Sequence, residues 1–405
     1  MFFIYEFLVL IFILLSPFTF LIRTLYGKED PKSILEKFCI YSNNEKYKKT
    51  IWIHGASVGE ILSIIPIIKL YENSNKIKKI LLTSSTTSSA SIISKFNFKK
   101  TTHAYLPIDL NYLNNKFIRY WKPQIAIFVD SEIWPNMFKN LKLNKIPIIL
   151  LNARITNKSF NRWKMFPNFS KEIFNKISIA LPQNIETSKY LKNLGVKKIK
   201  IVGNLKYFGQ KNKVYKNLNK INKKRLVFCA ASTHYNEELI IGKVHKELKS
   251  KYENLLTIII PRHINRSNSI INSLENIGLN IVSRSSNKKV NNRTDIYLVD
   301  TYGETTKFYG LSNITFVGGS LIDHGGQNPL EPARLGNYII HGRNIQNFKE
   351  VYNMLLKLKI SSKVNNAFNI KKIINKKIKH RQPLRMSEKL NKIGNDILKK
   401  NLNEI

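Results

Sequence analysis

The residues of this sequence that could do chemistry cluster where short apolar runs break into Gly, Ser, Asn or a charged group. Seven such breaks occur: IWIHGASVGE ending at Glu60, FVDSEIWPN around Asp130 and Glu132, LLNARIT, VGNLKYF with Lys206, IIPRH ending in Arg262-His263, VDTYGE ending in Tyr302-Gly303-Glu304, and FVGGSLIDHGGQNPLEPA. Each break taken alone could be an ordinary strand-to-helix turn, which uses Gly and caps with Ser, Asp or Asn. Seven in succession point to a site. Glu60 lies at the start of a predicted helix, where the dipole favours the ionised carboxylate, and such a group can take a proton from a hydroxyl. A simple N-terminal helix charge is the alternative role. Gly318-Gly319-Ser320 and Gly325-Gly326 are expected to offer backbone N–H groups to an anion, phosphate being the natural ligand. Arg262 and His263 would add a cationic wall. Asn328 and Glu331 stand three apart at a helix start, so Glu331 could accept two ribose hydroxyls or serve only as a dipole partner. Asp130 and Glu132 form the pair DSE, and without histidine they are a poor metal set; no DxD pair is present, and no metal is expected.

The elements that must carry these breaks read as βα units. The apolar runs Ile51–Ile53, Ile80–Thr83, Ala104–Leu106, Ile125–Val129, Ile146–Leu151, Ile177–Leu181 and Ile199–Val202 alternate with longer polar, helical stretches. A second series comprises Leu226–Ala230, Leu256–Ile260, Asn280–Val282, Ile296–Val299, Ile314–Val317 and Tyr338–His341. The Lys/Asn-rich stretch 206–224 separates them and is the expected linker. The expectation is an α/β chain of two doubly wound Rossmann-like domains, 26–205 and 225–405, with ligands at the carboxyl ends of the strands in a cleft between them. Neither GxGxxG after a strand nor GxxxxGK[ST] occurs, which argues against a dehydrogenase and a P-loop NTPase.

Residues 1–25 are of another kind. Between Met1 and Ile22 the only charged side chain is Glu6, and Phe7–Ile22 carries none. The stretch is slightly short for a span of about 20 residues unless Met1–Tyr5 contribute, and Pro17 is expected to interrupt it. No basic residue precedes it, whereas Arg23, Lys28, Lys32 and Lys37 follow, so a retained membrane anchor with the body on the cytoplasmic side is expected. The 67 Lys+Arg against 26 Asp+Glu give a net charge of +41, which fits an anionic membrane surface or a phosphorylated substrate, and also a strong nucleotide bias, given the abundance of Lys, Asn and Ile. A nucleic-acid-binding protein is the alternative raised by that charge, but the basic residues are spread along the chain and no RRM, KH or helix-turn-helix signature is found. Cys39 and Cys229 lie among apolar residues, away from any CxxC, and read as buried thiols.

The motif set GKEDP (27–31), GASVGE, SEIWPN, NAR, GNLK, PRH, DTYGE and GGSLIDHGGQNPLEP resembles the family of 3-deoxy-D-manno-octulosonic acid (Kdo) transferases of lipopolysaccharide synthesis, over nearly the whole chain after the anchor. The resemblance implies the GT-B fold, an inner-membrane enzyme, CMP-Kdo as donor, a lipid A precursor as acceptor, an inverting single displacement, and no cofactor or metal. It implies Glu60 as general base and Asp130 and Lys206 as stabilisers of the transition state. It further implies that Arg262, His263, Tyr302, Gly303, Glu304, Asn328, Pro329, Leu330 and Glu331 line the CMP site. Where family members commonly have Glu-Thr-Glu, this chain has Asp130-Ser131-Glu132, which leaves open which of the two acids matters more. The run Thr83–Ser89 also lacks the Pro and Gly often present in the family. Another GT-B enzyme using a UDP-sugar is the nearest alternative.

Overall fold

A computed structural model of the chain describes residues 1–27, 29–41, 49–208, 225–380 and 384–405. Lys28 of the GKEDP motif and 209–224 of the expected linker lie outside the described residues. The chain divides into two compact units, Met1–Phe208 together with Gly394–Ile405, and Gly209–Ile393.

The first unit is built on six parallel strands: β1 (Thr50–His54), β2 (Ile80–Ser84), β3 (Thr101–Tyr105), β4 (Pro123–Val129), β5 (Ile148–Ala153) and β6 (Ile179–Pro182), in the order β3-β2-β1-β4-β5-β6. Strands covered on both faces must be apolar at successive positions, and β5 (IILLNA) is buried throughout. Alternate residues then feed two cores. Trp52, Leu81, Phe128 and Leu150 point to the side of Phe117 and Phe138. Ile53, Leu82, Ile127 and Leu151 point to the side of Ile61, Ile64 and Leu398. Leu398 comes from the far end of the chain, in the helix Leu384–Leu402, whose last turns return to this unit. The expected second domain running to residue 405 is therefore shorter than the sequence suggested.

The second unit carries seven parallel strands, β7 (Leu226–Thr233), β8 (Leu255–Pro261), β9 (Ile281–Ser283), β10 (Ile296–Leu298), β11 (Ile314–Val317), β12 (Tyr338–His341) and β13 (Ser361–Lys363), in the order β13-β12-β11-β7-β8-β10-β9. Phe228 and Ala230 of β7 face one core and Val227, Cys229 and Ala231 the other. Both cysteines are buried thiols.

Three sequence expectations are corrected. Ile199–Val202 forms only an isolated bridge, in which Ala180 and the segment 198–200 exchange two backbone bonds, because Lys198 and Lys200 flank a single apolar residue and Gly203, at φ 97°, turns the chain away. Edge strand β13 is polar and has no apolar signature to betray it. The third concerns Pro17. The N-terminal helix runs unbroken from Phe2 to Leu25. Proline cannot donate to the Ile13 carbonyl four residues earlier, but the Ser16 hydroxyl donates to that same carbonyl at 2.7 Å. At about 1.5 Å per residue the helix is long enough to cross a hydrocarbon layer of about 30 Å. It is the only helix among the described residues with that length and composition. One side rests on the first unit: Phe2 meets the Phe169 ring edge-on at 5.1 Å, Tyr5 Oη donates to Asp109 at 2.8 Å, and Arg23 Nε pairs with Glu29 at 3.0 Å. Phe3, Phe7, Leu14, Phe18, Leu21 and Leu25 are exposed on it.

Candidate functional site

In the first unit the site grows from the ends of β1, β4 and β5. After β1 the turn Gly55-Ala56-Ser57 leads into the helix Val58–Glu72, and Ser57 and Glu60 close a reciprocal capping box. Glu60 accepts the Ala56 N–H at 2.7 Å and the Ser57 hydroxyl at 3.0 Å. Its carboxyl is pushed above the usual glutamate range, chiefly by burial, with the charges of Glu132 and Asp130 adding to it and the Ser57 and Ala56 hydrogen bonds opposing. The helix-capping role and a raised proton affinity thus coexist in one side chain.

Asp130 follows β4 directly with φ 64°, a left-handed conformation that aspartate tolerates better than most residues. The backbone is locked there: Asp130 N–H donates to Leu151 O at 3.0 Å and its carbonyl accepts from Arg154 N–H at 3.1 Å. The side chain is buried, with Oδ2 3.5 Å from Lys206 Nζ and Oδ1 lacking a hydrogen-bond partner among the described residues. Burial raises its carboxyl pKa, and Lys206 and Arg154 work against that. A buried carboxylate oxygen with no partner is costly unless something binds it.

Lys206 sits in the single turn Leu205–Tyr207. Asn204 caps this turn by accepting the Lys206 N–H, and Asn152 Oδ1 accepts the Leu205 N–H at 2.9 Å. The motif Asn152-Ala153-Arg154 therefore has two tasks that sequence reasoning did not find: its asparagine fastens the lysine turn, and its arginine bonds the Asp130 carbonyl through its backbone N–H while its charge opposes the rise in the Asp130 pKa. Glu132 lies close by, held by the Trp134 indole N–H at 3.0 Å and by His54.

In the second unit the glycine-rich loop after β11 departs from expectation. The buried carboxylate of Glu237, a residue the sequence reading did not single out, accepts the N–H groups of His234, Gly319, Ser320 and Leu321 at 3.0, 2.7, 3.1 and 3.1 Å. The amides of Gly319 and Ser320 are thus taken by the protein's own anion and are not offered to a phosphate. The glycine at 318 answers a packing need, since a Cβ there would lie 2.3 Å from Ser232 O. What faces outward is cationic and aromatic. Arg262 and His263 follow β8 and are exposed. His234 meets the rings of His324 at 4.0 Å and His263 at 5.8 Å between centroids. Its pKa is lowered to about 4, first by burial and then by neighbouring positive groups, so it is neutral at pH 7. Arg266 is engaged by Glu238 through two contacts of 3.1 Å.

Tyr302 is 75% exposed and Gly303 has φ 80°. Glu304 is occupied by Arg284, Lys307 and Thr301, and these bonds, Arg284 first, hold its pKa at about 2. Glu304 therefore pins the loop that displays Tyr302. Of Asn328–Glu331, Pro329 and Leu330 are buried, while Asn328 and Glu331 reach the surface; Asn328 Oδ1 accepts the Leu330 N–H at 3.0 Å. Desolvation of its carboxyl raises the pKa of Glu331, and the charge of Arg334 opposes that rise. Among the described residues no group of three His, Cys, Asp or Glu is placed to hold a metal ion.

The profile of the family "3-Deoxy-D-manno-octulosonic-acid transferase (kdotransferase)" matches residues 32–208. A 3-deoxy-D-manno-octulosonic acid transferase of Haemophilus influenzae is 32% identical over 342 residues, covering 82% of this chain and 80% of the relative. That of Rickettsia bellii is 33% identical, covering 87% and 86%. The chain belongs to the Kdo transferase family. It is a glycosyltransferase. Among solved structures, the UDP-GlcNAc 2-epimerase of Neisseria meningitidis superposes with a TM-score of 0.59 at 13% identity, over 88% of this chain and all of that one, which establishes a shared GT-B-like fold.

Within this Kdo transferase the structure gathers Glu60, Asp130 and Lys206 in the first unit, and in the second it places Arg262 and His263 beside His234. Sequence reasoning missed His54, Arg154, His234 and Glu237. His54 stood inside the run IWIHGASVGE, and Glu237 could have been suspected only as an acid opening a helix four residues after the end of β7.

Proposed function

We propose that the protein transfers Kdo from CMP-Kdo to a hydroxyl of a lipid A precursor (lipid IVA) with inversion, using Glu60 as general base. The observation that carries this reading is the pairing of a glutamate of raised proton affinity with a buried, half-partnered aspartate just after β4 and with the lysine of the turn Leu205–Tyr207. The acceptor oxygen forms a bond to the anomeric carbon of Kdo as the bond from that carbon to the phosphate oxygen breaks; CMP leaves with the electron pair, and the hydroxyl proton passes to Glu60. A phosphate leaves without protonation when cations meet its growing charge. Arg262 is the side chain read for that task, and Lys206 and Asp130 are read as stabilising the reacting centre. The amides of Gly319 and Ser320 are withdrawn from that role because Glu237 occupies them, and those of Gly318 and Gly326 because they donate to Ala231 O and Gly319 O. Tyr302, Gly303, Glu304, Asn328, Pro329, Leu330 and Glu331 are read as the walls and supports of the nucleotide site, Pro329, Leu330 and Glu304 acting from behind.

The lipid nature of the acceptor is supported by a cavity of about 710 Å³ against the N-terminal helix, walled by Leu8, Val9, Phe12, Leu106 and Pro107 and edged by Arg23 and Lys37. Such walls suit an acyl chain. The helix and the basic residues after it support a station on the cytoplasmic face of the inner membrane, against its anionic lipids. Incubation of the purified protein with CMP-Kdo and lipid IVA, followed by mass spectrometry, tests the reading. Product heavier by one or more Kdo units is expected; product formed from a UDP-sugar instead would overturn the donor assignment.

A further inference from the structure

A chain of hydrogen bonds that the transfer reaction does not use leads from the core to Glu132. The Trp52 indole N–H donates to Thr83 Oγ1 at 2.9 Å, Thr83 Oγ1 lies 2.9 Å from His54 Nδ1, and His54 Nε2 lies 3.2 Å from Glu132 Oε2. The Trp134 indole reaches the same Glu132 oxygen at 3.0 Å. Trp52, Thr83 and His54 are fully buried, while the Glu132 side chain keeps 16% of its exposure.

The tautomer of His54 follows from its partners. A bare Nε2 would set a lone pair against a carboxylate oxygen, so the ring proton belongs on Nε2 and Nδ1 accepts from the Thr83 hydroxyl. Donation then runs one way, from Trp52 to Thr83 to His54 to Glu132. The core uses two N–H donors to hold one acid in place. That acid stands in a site already holding Glu60 and Asp130, and like charges so placed disfavour one another. Any neutral acceptor would satisfy a buried imidazole N–H, so satisfaction of the ring does not account for a carboxylate there.

We propose that His54 is a positioning residue that fixes Glu132 beside Glu60, and that the held negative charge of Glu132 makes Glu60 a stronger base. The inference rests on Glu60 being the base. The groups acting on Glu60 are Glu132 and Asp130 from the turn after β4 and Ser57 and Ala56 from its own turn; Lys206 and Arg154 act on Asp130. After burial, the charge of Glu132 is the largest influence raising Glu60's proton affinity. A base whose affinity approaches the working pH removes a proton more effectively.

The test is the pH profile of the full-length protein with CMP-Kdo and lipid IVA. Glu132→Gln keeps the size and an acceptor for both N–H groups but removes the charge. Its acid limb in kcat/KM is expected to move to lower pH, with the plateau about three- to tenfold lower and the donor KM unchanged. His54→Gln retains a donor at the Nε2 position and is expected to behave nearly as wild type. His54→Asn retains only the Thr83 partner and is expected to reproduce the Glu132→Gln profile, with the double variant His54→Asn/Glu132→Gln no worse than Glu132→Gln. An acid limb in Glu132→Gln that stays at the wild-type position overturns the inference, as does a wild-type profile in a folded His54→Asn. Normal turnover by Glu60→Gln would instead remove the underlying assignment of the base, so the two failures are distinct.

Discussion

Glu60 carries two duties that a single substitution can separate. As a capping-box partner it satisfies the Ala56 N–H and complements the helix dipole; as a base it must be ionised and then accept a proton. Glu60→Gln preserves size and most hydrogen bonding, so turnover is expected to fall by about two orders of magnitude or more while CMP still protects the protein against thermal unfolding. Loss of a helix charge alone would lower stability by roughly 0.3–1 kcal/mol and leave kcat near wild type. Because burial holds the Glu60 pKa above the ordinary range and the base must be deprotonated to act, the acid limb of the wild-type profile is expected above the pKa of a free glutamate. At the donor end, Arg262→Ala is expected to raise KM for CMP-Kdo and lower kcat, with the melting temperature nearly unchanged because the side chain is exposed. Steady-state kinetics in both variants, with thermal melts alongside, decide these cases.

At the scale of elements, the loop after β11 is held from within by Glu237, whose carboxylate gathers four backbone N–H groups. Glu237→Ala would strand those donors in a buried place, at about 1–3 kcal/mol for each left unpaired. The expected result is a clear drop in melting temperature together with weaker CMP protection, measured by thermal shift with and without CMP; a stable protein that binds CMP normally would count against the clamp. This loop also marks where the sequence stopped being legible. The parallel sheets could be read because doubly covered strands are buried along their length and nearly all apolar, as in β5 and β8. Edge strand β13 could not, since Ser361-Ser362-Lys363 carries no burial signal. Pro17 reads as a break until the Ser16 hydroxyl is seen at the Ile13 carbonyl. The motif residues stood out because they interrupt apolar runs, whereas partners such as Glu237 and Arg154 become visible only through contacts distant in sequence or, for Asn152, through the amide it holds.

For the whole molecule, the N-terminal helix and the basic residues after it lead to the expectation that the full chain sediments with membranes and that its body, protected from protease in intact cells, is cut once the inner membrane is permeabilised. Cleavage of the body from the periplasmic side would refute the orientation. The helix Leu384–Leu402 ties the two ends of the sequence together. Leu398 is buried in the core of the first unit with Ile61 and Ile64, Asn401 is fully buried, and a Cβ at Gly394 would come within 2.4 Å of Tyr207 O. Truncation after Ile393 is therefore expected to destabilise the first unit by several kcal/mol, at about 1.5–3 kcal/mol for each buried aliphatic side chain lost, as a chemical denaturation curve would register.

That returning helix also sets a schedule. Synthesis proceeds from the N-terminus, and the strands β1–β6 emerge from the ribosome long before the residues that seal one face of their sheet. Throughout translation of the second unit the nascent first unit waits with part of its Ile-rich face uncovered. Such an intermediate is a natural client for chaperones, and a stalled or prematurely ended message is expected to leave a chain whose earliest-made half is less stable than in the full protein.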